Sequence, residues 1–416
     1  MPPEFHRVAV IGLGYVGLPM AATIAGRGIK VGGVDLRESV VARINEGRAH
    51  FIEPDLDTIV RSAVVTGYLS AALEPEAADC FVVSVPTPLA AGNVPDMHAV
   101  HSALDSIAPV LAPGNLVLIE STSPVGTTRK AAEQLYARRP DLSFPLLAPE
   151  QSDVMIAYCP ERILPGNTLR ELTDNPRIVG GLDKRSAERA HQFYSIFVKG
   201  EIHETRAEVA ELVKAAENSF RDVNIAFANE LSLISDAIGV DVWEVIRLAN
   251  QHPRVNILNP GPGVGGHCIP VDPWFVVHTH PQLAQLIRTA REVNLAKEAH
   301  VCGVIRRAAE KFRHPVVALL GLSYKPNIDD LRESPAVAIA VELAREETGE
   351  ILVVEPNIRE LPARLADQPG LKIASLADAV ARADIVVVLV AHDQFARLDR
   401  NHFAGKIVID TVGMIR

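Results

Sequence analysis

The sequence predicts an α/β protein with two Rossmann-like domains, each a doubly wound parallel sheet, joined by a long central helix. Strand-like apolar runs alternate with helical patterns near both ends of the chain, and a glycine-rich turn follows the first run. About 34 residues of helical periodicity lie between these two regions. The 416 residues suffice for two or three domains. We place their boundaries at 1–204, 205–305 and 306–416.

Composition and charge exclude several classes of protein. Hydrophobic residues make up 48% of the chain and charged residues 22%, which is typical of a globular protein. The net charge of −10 disfavours general nucleic-acid binding. Neither a signal-peptide pattern nor an apolar run long enough to cross a bilayer is present, so we expect a cytoplasmic protein without membrane contact. Four cysteines without CxxC spacing favour a reducing compartment and disfavour disulfides and structural zinc.

The N-terminal domain opens on a strand-like run that ends in a G-x-G-x-x-G turn and is followed by a helical pattern and a second strand. Such a turn binds the pyrophosphate of a dinucleotide at the helix N-terminus. Asp35 lies 23 residues after Gly12, where a carboxylate accepts hydrogen bonds from ribose and repels a 2′-phosphate, so NAD is the expected cofactor. The alternative is a glycine-rich turn followed by a solvated aspartate. The predicted cofactor contacts of the turn are Gly12, Gly14, Tyr15, Val16 and Gly17.

Later strands of this domain end in small or polar residues, as strands do at a ligand crevice. Thr87 and Thr122 follow two such strands. Both are candidate cofactor contacts, and a simple turn-forming role is the alternative for each.

The central helix begins in a capping-box pattern at Thr205, and Gly239 is placed to end it. Its length is enough to link two lobes and to pair with its copy in a dimer. Lys214, Asn218 and Arg221 have the i, i+4, i+7 spacing of one helix face. The alternative for these three is a solvated polar stripe.

A loop rich in glycine and proline, 259–275, contains Cys268. Its His267 lacks a matching Cys/His pair, so we predict no metal site. A cysteine beside nicotinamide points to oxidation of an aldehyde through a thiohemiacetal and a thioester, which ends in a carboxylate. Asp272 precedes a proline, and a helix N-cap is its alternative role.

The C-terminal region again alternates strands and helices, but its first turn lacks G-x-G-x-x-G. Lys325 and Arg332 lie near expected strand ends, where they are candidate anchors for a phosphate-bearing ligand. Solvated surface charges are the alternative.

Six motifs, in order along nearly the whole chain, resemble the UDP-glucose/GDP-mannose dehydrogenase family: GLGYVGLPMA, ESTSPVGTT, YCPERILPG, KAAENSFRDVNIAFANEL, GPGVGGHCIPVDPWF and GLSYKPNIDDLRESPA. The resemblance implies two successive NAD-dependent oxidations at C6 of a nucleotide sugar, with a uronic acid for polysaccharide synthesis as product. It also implies a cofactor domain, a dimerising helical middle and a UDP-binding end.

Carried over position by position, the resemblance makes Cys268 the nucleophile. Lys214 is expected to stabilise the oxyanion at C6 and to transfer protons, and Asn218 is expected to help hold that oxyanion in place. Asp272 is expected to orient Lys214 or water. Glu161 is expected to activate the water that cleaves the thioester.

The resemblance also implies the substrate contacts, and it implies that Arg332 reaches NAD. Arg254 is expected to enter the site of the other subunit of a homodimer. The implied substrate contacts are Arg162, Ile163, Lys214, Asn218, Arg221, His252, Arg254, Gly265, Tyr324 and Lys325.

Departures from the glucose branch narrow the expected substrate. Pro165 replaces a second glutamate, and Val271 replaces a lysine before Asp272. The resemblance therefore implies a UDP-N-acetylhexosamine, and the PWF that follows favours the mannosamine form. UDP-N-acetylglucosamine or UDP-glucose remains the alternative substrate. An enzyme that stops at the aldehyde and a non-enzymatic NAD-binding redox sensor are the other hypotheses.

Overall fold

The computed structural model describes residues 5–146, 149, 151–163 and 166–415, so Pro165 lies outside the described residues. The chain divides into two compact units, 1–216 and 217–416. Helix α8 begins in the first unit and ends in the second.

The first unit is built on an eight-stranded sheet. Its strands are β1 (Arg7–Ile11), β2 (Lys30–Val34), β3 (Leu69–Ala72), β4 (Cys80–Val83), β7 (Leu116–Ile119), β8 (Met155–Tyr158), β9 (Arg177–Gly181) and β10 (Ile202–Arg206), and a small hairpin adds β5 (Leu89–Ala90) and β6 (Val94–Pro95). Its helices are α1 (Gly17–Ala25), α2 (Glu38–Asn45), α3 (Leu56–Val65), α4 (His98–Ile107), α5 (Thr127–Arg138), α6 (Thr168–Asp174) and α7 (Lys184–Tyr194), with a 3₁₀ turn at Ala108–Val110.

The strand order is β10-β9-β8-β7-β4-β1-β2-β3, and every neighbouring pair is parallel except the antiparallel pair of β8 and β9. Six of these strands, in the order β8-β7-β4-β1-β2-β3, are all parallel and have the strand order of a doubly wound dinucleotide-binding sheet. In that order the direction of chain progression reverses next to β1. Strands β4 and β7 are buried throughout, since helices cover both faces of the sheet.

Helix α8 (Ala207–Ile238) has 32 residues, or about 48 Å of helix at ~1.5 Å per residue. Gly239 has φ +73° and ends it as predicted. The capping box predicted at Thr205 is wrong. Thr205 belongs to strand β10 and pairs with Gly180, because the edge of the sheet takes the backbone that a helix cap would use.

The second unit contains the rest of α8 and a five-stranded parallel sheet in the order β13-β12-β11-β14-β15. Its strands are β11 (Val316–Leu320), β12 (Glu350–Val354), β13 (Leu371–Ile373), β14 (Ile385–Val388) and β15 (Ile407–Asp410). Its further helices are α9 (Val242–Ala249), α10 (Asp272–Thr279), α11 (Gln285–Ala309), α12 (Pro335–Arg345), α13 (Ala363–Ala366) and α14 (Leu376–Arg382), with 3₁₀ turns at Asp393–Phe395 and Arg400–Phe403.

Two Rossmann-like sheets and a long central helix confirm the predicted fold class. Within the described ranges, no helix has both the length and the apolar composition needed to cross a membrane.

Candidate active site

The glycine turn after β1 has the geometry of a dinucleotide site. Gly12 has φ +97°, and a β-carbon there would lie 2.3 Å from the carbonyl oxygen of Ser84. A β-carbon on Gly17 would lie 1.9 Å from the carbonyl oxygen of Gly12. A β-carbon on Gly14 would meet nothing within 4 Å. Packing therefore requires the first and third glycines, whereas the second faces open space in which a pyrophosphate can approach the backbone.

Asp35 follows β2 and points back to this turn. The carboxylate accepts a hydrogen bond from Leu13 N at 3.3 Å and bonds from Arg37 N and Nε at 3.0 and 3.1 Å. Burial alone raises the pKa of Asp35, but the bonds and charge of Arg37 outweigh it and hold the pKa below its ordinary value. The site thus offers the ionised acid that a ribose requires. The contact with Arg37 was not predicted, although a basic residue two positions after the acid was its signal.

The other predicted cofactor contacts lie at the same end of the sheet. Val16 immediately precedes α1, and the ring of Tyr15 packs on Phe51 with centroids 4.2 Å apart. Thr87 and Thr122 are half-buried in the loops after β4 and β7, which are neighbouring parallel strands.

Lys214 and Glu161 are brought together in the first unit. The Lys214 side chain is 6% exposed, and its Nζ donates to the Glu161 carbonyl oxygen at 2.7 Å. The carboxylate of Glu161 lies 3.9 Å from the same Nζ, and it also accepts a hydrogen bond from Ile163 N. Arg162 donates to the carbonyl oxygen of Pro176 at 3.2 Å. A buried ammonium beside a carboxylate can hold and transfer a proton.

Glu211 fixes the helix turn that precedes Lys214. Its buried carboxylate accepts hydrogen bonds from Gly126 N at 2.6 Å, from Thr128 N at 2.7 Å and from Thr128 Oγ1 at 2.6 Å. These donors lie at the N-terminus of α5, so the start of α8 is bound to the first sheet's helices. The sequence analysis missed Glu211, because its partners are more than 80 residues away.

Cys268, Asn218 and Asp272 lie together in the second unit. Cys268 is half-buried, and its carbonyl oxygen accepts bonds from Val271 N at 3.1 Å and Asp272 N at 2.8 Å. Asp272 is 2% exposed, and its carboxylate accepts a hydrogen bond from Asn218 Nδ2. The N-cap alternative for Asp272 is wrong, since Val271 holds that position and Asp272 is the first residue of α10. The carboxylate is thus directed to the polar face of α8.

The glycines before Cys268 allow close packing against Tyr324. Gly266 has φ +93°, and a β-carbon there would lie 2.8 Å from the Tyr324 ring. A β-carbon on Gly265 would lie 2.7 Å from Tyr324 Cβ and 2.6 Å from the carbonyl oxygen of Glu333. The cysteine loop therefore rests on the segment that follows β11, and no larger residue fits there.

A buried polar network attaches the same loop to α8 and α11. Gly261 N donates to Asn229 Oδ1 at 2.9 Å, and Asn229 Nδ2 donates to Asn294 Oδ1 at 2.8 Å. Asn294 Nδ2 and Arg291 Nη1 both donate to Asp222 Oδ1, at 2.8 and 2.6 Å. The sequence analysis missed these residues, although polar side chains at core-facing helix positions were a signal.

The remaining predicted contacts belong to loops and exposed faces. Arg332 donates to Asp330 at 2.8 and 2.6 Å, while His267 Nε2 lies 3.5 Å from the same carboxylate. Burial raises the pKa of Asp330, but the bonds from Arg332 and His267 outweigh it and hold the pKa well below its ordinary range. Among the predicted substrate contacts, Arg221, His252 and Arg254 are exposed, and Lys325 is half-buried.

Three family models match the chain in order. Residues 6–198 match the NAD binding domain, residues 208–296 the central domain and residues 318–416 the UDP binding domain of the UDP-glucose/GDP-mannose dehydrogenase family.

Individual relatives are similar over nearly their whole length. The chain is 54% identical to an NDP-N-acetyl-D-galactosaminuronic acid dehydrogenase of Ralstonia nicotianae, covering 99% of this chain and 96% of the relative. It is 52% identical to a UDP-N-acetyl-D-mannosamine dehydrogenase of Campylobacter jejuni, covering 94% and 97%. The solved structure of a UDP-D-ManNAc dehydrogenase from Pyrococcus horikoshii superposes with a TM-score of 0.88 at 38% identity, covering 99% and 96%.

Proposed function

Because this chain belongs to the UDP-glucose/GDP-mannose dehydrogenase family, we propose that it oxidises UDP-N-acetyl-D-mannosamine at C6 to the uronate, with two NAD⁺ consumed per sugar. The observation that carries the chemistry is the pairing of Asn218 with Asp272 one turn after Cys268. A loop cysteine next to a fixed carboxylate suits a covalent route to an acid.

The proposed cofactor site is the glycine turn with Asp35, supplemented by Thr87, Thr122 and Arg332. NAD supplies the hydride acceptor for both oxidations. Domain 1–204 would bind it, 205–305 would carry the catalytic helix and the cysteine loop, and 306–416 would bind UDP.

The chain's own residues carry the remaining steps. In its neutral amine form, Lys214 accepts the proton of the C6 hydroxyl as a hydride leaves C6, which gives the aldehyde. The resulting ammonium then stabilises the oxyanion that forms when the thiolate adds. The thiolate of Cys268 adds to the aldehyde carbon to give a thiohemiacetal, which becomes a thioester when a hydride leaves. Glu161 takes a proton from water as the water attacks the thioester, and the acid and the free thiol are released. Asp272 and Asn218 position the groups around the sulfur. The proposed substrate contacts are Arg162, Ile163, Arg221, His252, Arg254, Gly265, Tyr324 and Lys325.

The choice of sugar rests on relatives named for UDP-N-acetyl-D-mannosamine at 52% identity. A relative named for N-acetyl-D-galactosaminuronic acid at 54% identity supplies the second candidate, an N-acetylgalactosamine nucleotide. Both names specify an N-acetylated hexose, so the acetamido group is the shared element of this proposal.

The test is NADH formation with NAD⁺ and a panel of UDP-N-acetylmannosamine, UDP-N-acetylglucosamine, UDP-N-acetylgalactosamine, UDP-glucose and GDP-mannose. We expect two NADH per UDP-N-acetylmannosamine, and kcat/KM at least tenfold lower for every other sugar. A different preferred sugar refutes the substrate assignment. One NADH per sugar with hydrazine-trapped aldehyde would indicate an enzyme that stops at the aldehyde, and no NADH with any sugar would favour a redox sensor.

The covalent step has its own test. Cys268→Ser should lower acid formation by about 10³-fold or more, because an alkoxide forms far less readily than a thiolate and leaves poorly. Cys302→Ser is the matched control, since Cys302 is buried in the second sheet's core. Acid production by Cys268→Ser at the wild-type rate would exclude the thioester route.

We also propose that the chain forms a homodimer through α8, with Arg254 entering the partner's site. An apolar stripe along α8 remains exposed: Phe220 is 72% exposed, Phe227 53%, Ile234 49% and Ile238 67%. Spacings of seven, seven and four residues keep these side chains on one face, and a contiguous apolar face marks an interaction surface.

We propose a cytoplasmic location, because four cysteines without the spacing of a disulfide framework suit a reducing compartment.

Light scattering tests the dimer. Phe227→Asp should shift the protein from a dimer to a monomer at micromolar concentration. Val65→Asp is the matched control, because Val65 is an apolar side chain that is 80% exposed in the first unit and lies on α3, outside α8. A monomeric wild type, or a dimeric Phe227→Asp with unchanged dissociation, would contradict the proposal.

A further inference from the structure

Strands β11 and β12 of the second sheet are arranged like β1 and β2 of the first sheet, but they do not reproduce the ligand site at the end of β1 and β2. Gly321 N donates to Val354 O at 2.8 Å, as Gly12 N donates to Val34 O at 2.8 Å. Gly321 has φ +93°. Glu355 follows β12 as Asp35 follows β2, so an acid again stands at the position of the ribose carboxylate.

The carboxylate of Glu355 is occupied by its own chain. Its Oε2 accepts bonds from Leu322 N at 2.7 Å and Ser323 N at 3.1 Å, and its Oε1 accepts one from Asn357 N at 3.0 Å. The residue is 4% exposed. Burial raises its pKa, but the bonds from His392, Leu322 N and Asn357 N outweigh burial and lower the pKa. The acid therefore organises the loop after β11 and is not available to a ribose.

His392 completes this arrangement from the end of β14. It is 1% exposed, and its Nδ1 accepts a hydrogen bond from Asn327 N at 2.9 Å. A backbone N–H can only donate, so Nδ1 carries no proton and the ring proton resides on Nε2. Nε2 lies 3.1 Å from Glu355 Oε2, to which it donates. The two neighbours thus select one tautomer, and the imidazole bridges the acid to the loop.

The bridged loop, Ser323–Asn327, contains Tyr324 and Lys325. At its start, Ser323 Oγ donates to the carbonyl oxygen of Lys325 at 2.8 Å. At its end, Asn327 has φ +64°, and its Oδ1 accepts a bond from Asp393 N at 3.0 Å. A non-glycine residue in the left-handed region requires support from its surroundings. The His392 contact with Asn327 N supplies that support from within the core.

We propose that His392 is a positioning residue for nucleotide-sugar binding, holding the Ser323–Asn327 loop in the shape that presents Tyr324 and Lys325 to the uridine diphosphate. The inference rests on the proposed function, which makes those two residues substrate contacts. The proposed role is assigned to the acceptor at Nδ1, because that atom binds the backbone N–H of Asn327 directly, whereas Nε2 contacts the side chains of Glu355 and Ser323.

Two substitutions separate the atoms of the ring. His392→Asn keeps an acceptor near Nδ1 and loses the Nε2 donor, whereas His392→Gln keeps a donor near Nε2 and loses the acceptor. His314→Asn is the matched control, because His314 is exposed immediately before β11. UDP affinity is measured by calorimetry on the full-length chain, together with kcat and the KM values for UDP-sugar and NAD. Thermal melting checks that each variant is folded.

His392→Gln should weaken UDP binding and raise the KM for the sugar about tenfold, the value of one net hydrogen bond. Its kcat and its KM for NAD should stay within about twofold. His392→Asn and the control should bind UDP within about threefold of wild type. A general loss of stability would not produce this separation.

UDP binding by His392→Gln at wild-type affinity, while wild type itself binds UDP, overturns this inference alone. Failure of wild type to bind UDP overturns the proposed function, and the inference with it. If His392→Gln does not fold, His392→Asn decides, because a folded His392→Asn with a tenfold loss of UDP affinity contradicts the role of the Nδ1 acceptor.

Discussion

Glu120→Gln should stabilise the first unit at alkaline pH. Glu120 follows β7, is 1% exposed and accepts a hydrogen bond from Tyr194 Oη at 2.6 Å. Its Oε2 has no hydrogen-bond partner among the described residues. Burial raises the pKa of Glu120 from 4.5 to about 7, and the charge of Arg177 only partly opposes this. The folded chain therefore holds a carboxyl group that is easier to bury neutral than ionised.

The magnitude follows from proton linkage. A pKa that rises from 4.5 to about 7 on folding corresponds to about 3 kcal/mol, at ~1.4 kcal/mol for each tenfold change in proton affinity. The folded state binds the proton more tightly, so this stability is complete below pH 4.5 and is lost as the pH rises through 7. Glutamine keeps an acceptor for Tyr194 and imitates the protonated form at every pH.

Thermal unfolding of wild type and Glu120→Gln measures the difference. At pH 8.5 the variant should be more stable by about 3 kcal/mol, which raises the Tm of a unit of this size by roughly 6–12 °C. At pH 5 the difference should fall below about 1 kcal/mol. Glu133→Gln is the matched control, because Glu133 is an exposed carboxylate on α5. A variant that melts below wild type at pH 8.5 would show that the ionised Glu120 carboxylate stabilises the folded chain, with Arg177 as its counter-charge, and this result refutes the reasoning.

Three further outcomes follow from single contacts. Gly266→Ala should lower stability by about 1–2 kcal/mol, because alanine is strained in the left-handed backbone conformation. It should also reduce turnover, because the new methyl group displaces Tyr324. Circular dichroism measures the stability and kinetics the turnover, and unchanged values would contradict the prediction. Asp222→Ala should cost about 3–5 kcal/mol by leaving the buried Arg291 without its counter-charge, whereas combining it with Arg291→Met should recover most of that loss in denaturant unfolding. Glu211→Gln should lower stability by about 1–2 kcal/mol, because one amide oxygen cannot accept bonds from three donors. It should also lower kcat, with a smaller effect on the KM for NAD. An unchanged kcat would show that the position of the start of α8 does not affect catalysis.

Local patterns in the sequence were sufficient for the fold class. Strand-length apolar runs predicted both sheets, because a parallel sheet covered on both faces requires nearly continuous apolar strands. Gly12 and Gly239 were identified because each conformation is set by the backbone at that residue. The helix start at Thr205 was wrong because pairing with Gly180, a partner elsewhere in the sheet, decides it.

The residues of the candidate site likewise divide into those that local sequence motifs indicate and those whose partners are distant in the sequence. Motif spacing was sufficient to predict roles for Lys214, Asn218 and Cys268, since these lie in short segments with unusual composition. It could not locate Asn229 or Glu211, whose role is to bind backbone amides far away in the sequence. A polar side chain at a core-facing helix position is a signal that such a residue has a buried partner, but only the fold shows which main-chain N–H group that partner is.

The two acids at equivalent strand ends explain how one architecture serves two purposes. Asp35 is bound mainly by Arg37, a flexible side chain that is 61% exposed and can give way to a ribose. Glu355 is bound by backbone amides and by His392, which is buried and cannot leave without breaking the loop. Under the proposed function, the same carboxylate position thus binds a ligand in one sheet, whereas it is structural in the other. The loop after β11 lacks the G-x-G-x-x-G pattern, which agrees with this difference between the two sheets. The loop after β11 presents side chains, whereas the loop after β1 presents backbone that glycines leave accessible.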